Sequence, residues 1–410
     1  MDVRFLGGVA EVGRSALLID DALLIDFGIK SGTPPRLPIE EPRPDAVVVS
    51  HAHLDHAGAV PALLSGQTQP PIHWTPPTRD LAIRLARDTL KLHGGTIHCP
   101  FTQEEIHRLT EASVTHGYRT SFRAAGYEVT FYDAGHIPGS AHVLVDDGDT
   151  RLLYTADFHT DSQRLVSGTD ARPEADVVVT ESTYAATSHQ TRARVEDAFV
   201  ESVTQTLWEG GTVIVPAFAI GRTQELLLVC AAHDIDCFVD GMGVEITETL
   251  LGHPEYLRDA EAMEAAKRHG RIVDGTGGQR NRIAGEPTVI ITTSGMLSGG
   301  PAQTYVPLVR GNPTNKITLT GHQVEGSPGR RLLESGRAEF DGQIMPVAAQ
   351  VEAYDFSAHA DREGLLSFLG DYRDARVLVT HGDRCPWFAE ELRGRGFEAS
   401  APAVGDIESL

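Results

Sequence analysis

His51-Ala52-His53-Leu54-Asp55-His56 places three imidazoles and a carboxylate within six positions, directly after the apolar run Val47-Val48-Val49-Ser50. Such a run reads as a strand that ends and gives way to a loop. In extended backbone alternate side chains point the same way, so His51 and His53 can share one metal. Asp55 and His56 sit one step further on, where Ala57-Gly58-Ala59-Val60-Pro61 turns into a short helix. They can face a second metal. Imidazole and carboxylate without thiolate suit zinc first, with manganese or iron as alternatives. A histidine-rich surface loop is the bland reading, and four potential ligands at this spacing speak against it.

A dinuclear site needs more ligands than one loop supplies, and the same grammar recurs. Arg151–Ala156 ends in Asp157, Asp176–Thr180 in Glu181, and Ala375–Thr380 in His381. Leu23-Leu24-Ile25 ends in Asp26, and His136 follows the strand-like Tyr127–Asp133. Each is a β-branched or leucine-rich run closed by one polar residue, and in layered α/β folds sites gather where strands end. Taken singly, each residue is equally well a helix cap or a satisfied polar group. Together they converge on one site.

These motifs resemble those of the β-CASP family of metallo-β-lactamase-fold nucleases, over about residues 3 to 400. Glu11-Val12-Gly13-Arg14-Ser15 and Asp26 match the family's opening hairpin and first motif. His51–His56, His136 and Asp157 match the next three. Glu181 in Thr-Glu-Ser-Thr, His359 in Asp-Phe-Ser-Ala-His-Ala-Asp and His381 in Thr-His-Gly-Asp match the motifs peculiar to β-CASP proteins. The chain is most similar to the short archaeal members. With the metal-binding part beginning almost at Met1, no amino-terminal KH domain is expected.

The resemblance implies a zinc-dependent ribonuclease with two Zn2+ per chain, Mn2+ being the alternative, acting on single-stranded RNA in 3′-end processing or turnover. His51, His53, His136 and Asp157 would hold one metal. Asp55, His56, Asp157 and His381 would hold the other, with Asp157 shared. Asp26 would orient a ligand histidine. A hydroxide shared by the two metals would attack phosphorus, leaving a 5′ phosphate and a 3′ hydroxyl. Asp55, Glu181 and His359 are the catalytic candidates, His359 as general acid oriented by Glu181. Competing readings remain: Asp361 as cap of a helix Arg362–Leu369 with His359 a core residue, and Thr180–Thr183 as a capping sequence. Arg222, Ser294, Gly295, Arg330 and Ser357 resemble family positions that touch RNA, through glycine-rich turns and arginine. Arg330 on a solvated helix is the plainer reading. His322 stands where relatives usually carry an aromatic residue, although imidazole can also stack on a base.

At 410 residues the chain exceeds one comfortable core. Ligands lie on both sides of a central stretch of alternating strands and helices, which marks an insertion. The expected architecture is α/β. A metallo-β-lactamase αββα sandwich from residues 1–185 and 344–410 would carry an inserted α/β β-CASP domain at 186–343, with single-stranded RNA entering between the two. Net charge is −22, with 57 acidic residues and only four lysines, at 30, 91, 267 and 316. That composition resembles proteins of salt-loving archaea and speaks of environment rather than substrate. The four cysteines have no metal-ligand spacing, and with no signal peptide or apolar span the expected location is cytoplasmic.

A DNA-directed nuclease or a small-molecule hydrolase on the same fold is the alternative, as is an inactive scaffold of a processing complex. The last-motif histidine, His381, favours RNA over DNA. The Glu181/His359 pair and the insertion argue against a small-molecule enzyme, and the complete ligand set argues against a scaffold. Beyond RNA, a homodimer and an RNA-processing or degradation complex are the partners to consider. The motif set serves endonucleases and 5′-to-3′ exonucleases alike, so the mode of cleavage stays open.

Overall fold

The computed structural model describes residues 1–410 except Thr33, His322 and Asp341. The stacking question at His322 therefore lies outside the described residues. The chain forms two compact units. The first comprises Met1–Ser162, Gly168–Ser188 and Ala358–Leu410, and the second Gln163–Ser167 and His189–Ser357.

Two seven-stranded mixed sheets build the first unit. One runs in the order Ile407–Ser409, Asp2–Gly7, Ala16–Ile19, Leu23–Ile25, Ala46–Val48, Ile72–Trp74, Ser113–Thr115. The other runs Glu398–Ser400, Arg376–Val379, Val177–Thr180, Arg151–Tyr154, Ala141–Asp146, Tyr127–Asp133, Ser121–Ala124. Their facing sides share one core, in which Val3, Phe5, Leu17 and Ile25 meet Val129, Phe131, Val143 and Val179. The outer face of the second sheet, through Leu153, Val178 and Val377, packs on the helices Arg362–Leu369 and Cys385–Gly394. Alternate residues of one strand thus enter different cores, as the two-residue period of a strand requires.

The second unit is a six-stranded sheet whose pairings are all parallel: Arg271–Ile272, Cys237–Asp240, Val289–Thr292, Val213–Pro216, Lys316–Leu319, Gln350–Ala353. Val213, Val215, Val289 and Ile291 face the helices Arg192–Trp208, Arg222–Ala232 and Ala260–His269. Ile214, Ile290 and Ile317 face Ala302–Val309 and Pro328–Ser335 on the other side. Burial of both faces explains why these strands read as unbroken apolar runs. Gln350–Ala353 pairs with Lys316–Leu319, so this unit reaches Ser357, whereas the sequence reading placed its end at residue 343. Among the described residues no helix is long and apolar enough to cross a membrane.

Candidate metal centre

The strand ends of the first unit bring the polar residues together. Arg376–Val379, Val177–Thr180 and Arg151–Tyr154 are parallel neighbours, so His381, Glu181 and Asp157 emerge side by side. Leu23–Ile25 runs parallel to Ala46–Val48 in the other sheet, which sets Asp26 beside Ser50 and His51. Asp26, Ala156 and His381 take left-handed backbone at φ 59°, 49° and 45°. Each costs about 1–2 kcal/mol for an L-residue, and strain of this kind clusters at functional sites. The short helix expected beyond Ala57 is the 3-10 helix Val60–Leu64, and a one-turn helix, Leu54–Ala57, precedes it and carries Asp55 and His56.

Among the described residues three groups of potential ligand atoms result, each within 4.8 Å of one another: His51, His53, His136, Asp157; Asp55, His56, Asp157, His381; and Asp157, Glu181, His359. Asp157 belongs to all three. Every residue expected to hold metal falls in the first two groups, and the expected acid and its partner complete the third. Arg222, Ser294, Gly295, Arg330 and Ser357 all lie in the second unit. Arg222 opens a helix, Ser294 and Gly295 follow the strand Val289–Thr292, and Arg330 pairs with Glu334 at 2.6 Å.

Behind these candidate ligands, the second nitrogen of several imidazoles is tied down. His56 Nδ1 donates to Asp26 Oδ2 at 2.7 Å, and His136 Nδ1 to the Ala358 carbonyl at 2.8 Å. His381 Nδ1 sits 2.9 Å from Ser15 Oγ. With the Nδ1 proton so placed, the Nε2 lone pair points inward on each ring, the arrangement that outer partners of metal-bound histidines produce. Asp26 also accepts from the Ser50 amide and hydroxyl, both at 2.7 Å, and from the Tyr154 hydroxyl at 3.1 Å. Ser15, Ser50, Tyr154 and the Ala358 carbonyl were not singled out from sequence. Ser15 lies in a motif that was, but its partner is 366 positions away, and no local pattern announces such a contact.

Gly28 and Gly382 allow the close approach. A Cβ on Gly28 would sit 1.7 Å from the Asp55 carbonyl oxygen, and one on Gly382 would meet Ser182 Oγ at 2.5 Å.

Burial pushes the His51 and His136 imidazoles well down, and the neighbouring rings add to it, His56 for the first and His359 for the second. Burial also lowers His53. For Asp157 burial alone would favour the neutral acid, but His381, His56 and His359 outweigh it and hold the carboxyl well below its usual range. His56 goes the other way, because Asp157 and Asp26 overcome its burial. His359 Nδ1 lies 3.2 and 3.0 Å from the two Glu181 oxygens. Burial alone would depress this ring too, yet Glu181 and Asp157 push its pKa up to about 9.

A divalent cation fits this donor set. His51 Nε2, His381 Nε2 and Asp157 Oδ1 are buried without a hydrogen bond, and each buried acceptor left in that state costs about 1–3 kcal/mol. His53 Nδ1 and His136 Nε2 meet at only 3.0 Å. A cation among these atoms satisfies them together, and a set of imidazoles and carboxylates suits zinc.

Comparison with known proteins agrees along the chain. Residues 10–184 match the metallo-beta-lactamase superfamily, 223–332 the Beta-Casp domain, and 344–402 the Zn-dependent metallo-hydrolase RNA specificity domain. RNase aCSPSF2 of Saccharolobus solfataricus is 34% identical, over 100% of this chain and 85% of that protein. Probable RNase MJ4 of Methanocaldococcus jannaschii is 31% identical over 99% of each. A solved structure of a protein of unknown function from Enterococcus faecalis shares the fold with a TM-score of 0.62 at 13% identity, covering 100% of this chain and 99% of that one. With its ligand groups at the strand ends and a relative of this identity spanning its whole length, the chain belongs to the β-CASP family of the metallo-β-lactamase superfamily.

Proposed function

We infer that the protein is a zinc-dependent ribonuclease that hydrolyses phosphodiester bonds of single-stranded RNA. The observation that carries this reading is the sharing of Asp157 by two ligand groups and by the Glu181–His359 pair. Two cation sites and a proton donor then converge on one carboxylate. His51, His53, His136 and Asp157 would hold one zinc, and Asp55, His56, Asp157 and His381 the other. When bound, such ions supply Lewis acidity, lower the pKa of water and neutralise charge on phosphoryl oxygens.

The chain's own residues do the rest. Asp26, Ser15 and the Ala358 carbonyl fix the rings of His56, His381 and His136 in one tautomer. Glu181, which also accepts from the Phe158 amide at 2.8 Å, holds the Nδ1 proton of His359. His359 Nε2, 4.0 Å from Asp157 Oδ2, is the nitrogen that would pass its proton to the departing 3′ oxygen. Ribonuclease names among the relatives and the RNA specificity match over 344–402, which contains His359 and His381, support RNA as substrate. Four free, buried cysteines suit the reducing cytosol in which we place the enzyme.

Product ends test the reading. Hydrolysis by external water with His359 protonating the 3′ oxygen leaves a 5′ phosphate and a 3′ hydroxyl on RNA cut by the zinc-loaded protein. A 2′,3′-cyclic phosphate in the products means the 2′ hydroxyl attacked instead, and the assignment fails.

A further inference from the structure

Glu11, only 7% exposed, gathers three cations on its carboxylate. Arg14 Nε donates to Oε1 at 2.5 Å, while Lys30 Nζ and Arg36 Nη2 donate to Oε2 at 2.8 and 2.6 Å. Burial would favour the neutral acid, but Lys30 and Arg14 outweigh it and keep the carboxyl below its ordinary range. One cation balances one carboxylate, so the cluster carries positive charge in excess. By contrast Arg330 with Glu334 and Arg331 with Glu339 are one-to-one pairs. Excess positive charge is unexpected in a chain of net charge −22 with four lysines, of which Lys30 is one.

The cluster's position matters as much as its charge. Its residues stand on two backbone segments that grip the second ligand group. The Ser15 amide donates to the Asp55 carbonyl at 2.8 Å, and the Gly382 amide to the Glu11 carbonyl at 3.2 Å. From the other segment the Phe27 amide donates to the His56 carbonyl and the Ile29 amide to that of Leu54, both at 2.8 Å. Lys30 follows directly. Asp55 is the ligand of that group with an accessible side chain, 26% exposed, against 4% for His381. Among the cations, Arg14 is 13% exposed and also donates to the Leu37 carbonyl, whereas Lys30 and Arg36 are 29% and 54% exposed. An ammonium has three donors and a guanidinium five, and Glu11 engages one on each. The Lys30 and Arg36 side chains keep exposed surface, and Lys30 follows directly on the segment whose amides bond to the Leu54 and His56 carbonyls.

We propose that Glu11, Arg14, Lys30 and Arg36 form a phosphate-docking site that holds the backbone of the single-stranded RNA next to the metal centre. Glu11 is the buried anchor that positions the cations, Arg14 fixes the anchor, and Lys30 and Arg36 meet the phosphates. The inference rests on the ribonuclease reading for its substrate and adds the residues that hold the strand.

The test measures binding of a fluorescein-labelled single-stranded RNA to zinc-loaded protein across a KCl series, in a His359→Ala background so that the strand stays intact. The Lys30→Gln/Arg36→Gln variant keeps the Glu11–Arg14 pair. It should bind roughly tenfold more weakly, and the slope of log affinity against log salt should flatten by about 1.4, the contribution of two phosphates on a single strand. Arg36→Gln alone should give about half that flattening, and covers the case in which the double variant does not fold. The charge-keeping Lys30→Arg/Arg36→Lys variant should restore the slope. Unchanged affinity and slope in the Gln variants would overturn the proposal and leave Glu11 a purely structural anchor. Cleavage of the same RNA by protein with His359 intact is scored separately. If that protein binds but does not cut, the ribonuclease reading fails while the docking site stands.

Discussion

Replacing His359 by alanine separates proton donation from architecture. Two carboxylates flank the ring: Glu181, whose oxygens lie 3.2 and 3.0 Å from Nδ1, and Asp157, 4.0 Å from Nε2. It is not a member of either four-residue ligand group, so its removal should leave zinc in place. The Glu181 side chain is fully buried and keeps the Phe158 amide as a donor once the ring is gone. Breaking a wholly buried ion pair costs about 3–5 kcal/mol. The His359 side chain is 19% exposed, so the loss of stability should fall below that range. On RNA the rate should drop by about 10²- to 10⁴-fold, equivalent to about 3–5 kcal/mol in the barrier. An aryl phosphodiester such as bis(p-nitrophenyl) phosphate, whose leaving group departs without a proton, should lose less than about tenfold. Single-turnover rates on both substrates, with zinc content measured on the same samples, decide the matter. Equal losses on the two substrates with zinc retained would refute proton donation by His359. Loss of zinc would make it a structural residue.

Further expectations concern the support around the centre. Asp26→Asn removes the charged acceptor of His56 Nδ1 and should weaken zinc binding about 10- to 100-fold, as read by competition with a chromophoric chelator; an unchanged affinity would contradict the orienting role. Gly28→Ala drives a methyl group into the Asp55 carbonyl and should cost about 2–3 kcal/mol in chemical denaturation. Gly117→Ala, with nothing within 4 Å of the new atom, should stay within about 0.5 kcal/mol of the parent, and equal effects would contradict the packing argument. Away from the centre, burial pushes His142 down to about 4, with Arg172 adding to it against the Thr155 carbonyl it donates to at 2.7 Å. Burial and the adjacent His116 bring His73 to about 4 as well. The unfolded chain therefore takes up these protons first as the medium acidifies. Their stabilisation is complete above about pH 6.5 and is lost as pH falls toward 4, at about 2 kcal/mol per histidine by pH 5. Denaturant midpoints at pH 7 and pH 5 should differ less in His142→Gln than in the parent, and the same difference in both would contradict the assignment.

The potential ligands that lie together close short apolar strands, and a strand end announces itself locally, so much of this candidate centre was legible in the sequence. His51, Asp157, Glu181 and His381 follow such runs, and Asp26 does so in the smallest of them. What the sequence hid depends on contacts between distant segments. Ser15 reaches His381, and the Ala358 carbonyl holds His136 across 222 positions. Boundaries slipped where a tertiary contact overrides the local pattern. The second unit runs past residue 343 because a polar strand, Gln350–Ala353, completes its sheet edge. That strand lacks the apolar run by which the others were recognised. The Glu11 cluster was hidden for a related reason, since its cations come from positions 14, 30 and 36 and meet only in the fold.

The most direct measurement gives zinc-loaded protein, in molar-range KCl, matched single strands of RNA and DNA, the RNA bearing a 5′ monophosphate, triphosphate or hydroxyl, with and without a chelator. The account predicts that RNA is cut, that DNA is spared, and that the chelator abolishes cleavage and readded zinc restores it. Internal fragments whatever the 5′ group would identify an endonuclease, and mononucleotides from the monophosphorylated strand alone a 5′-to-3′ exonuclease. Intact RNA under zinc, cleavage that survives the chelator, or DNA cut as readily as RNA would contradict it.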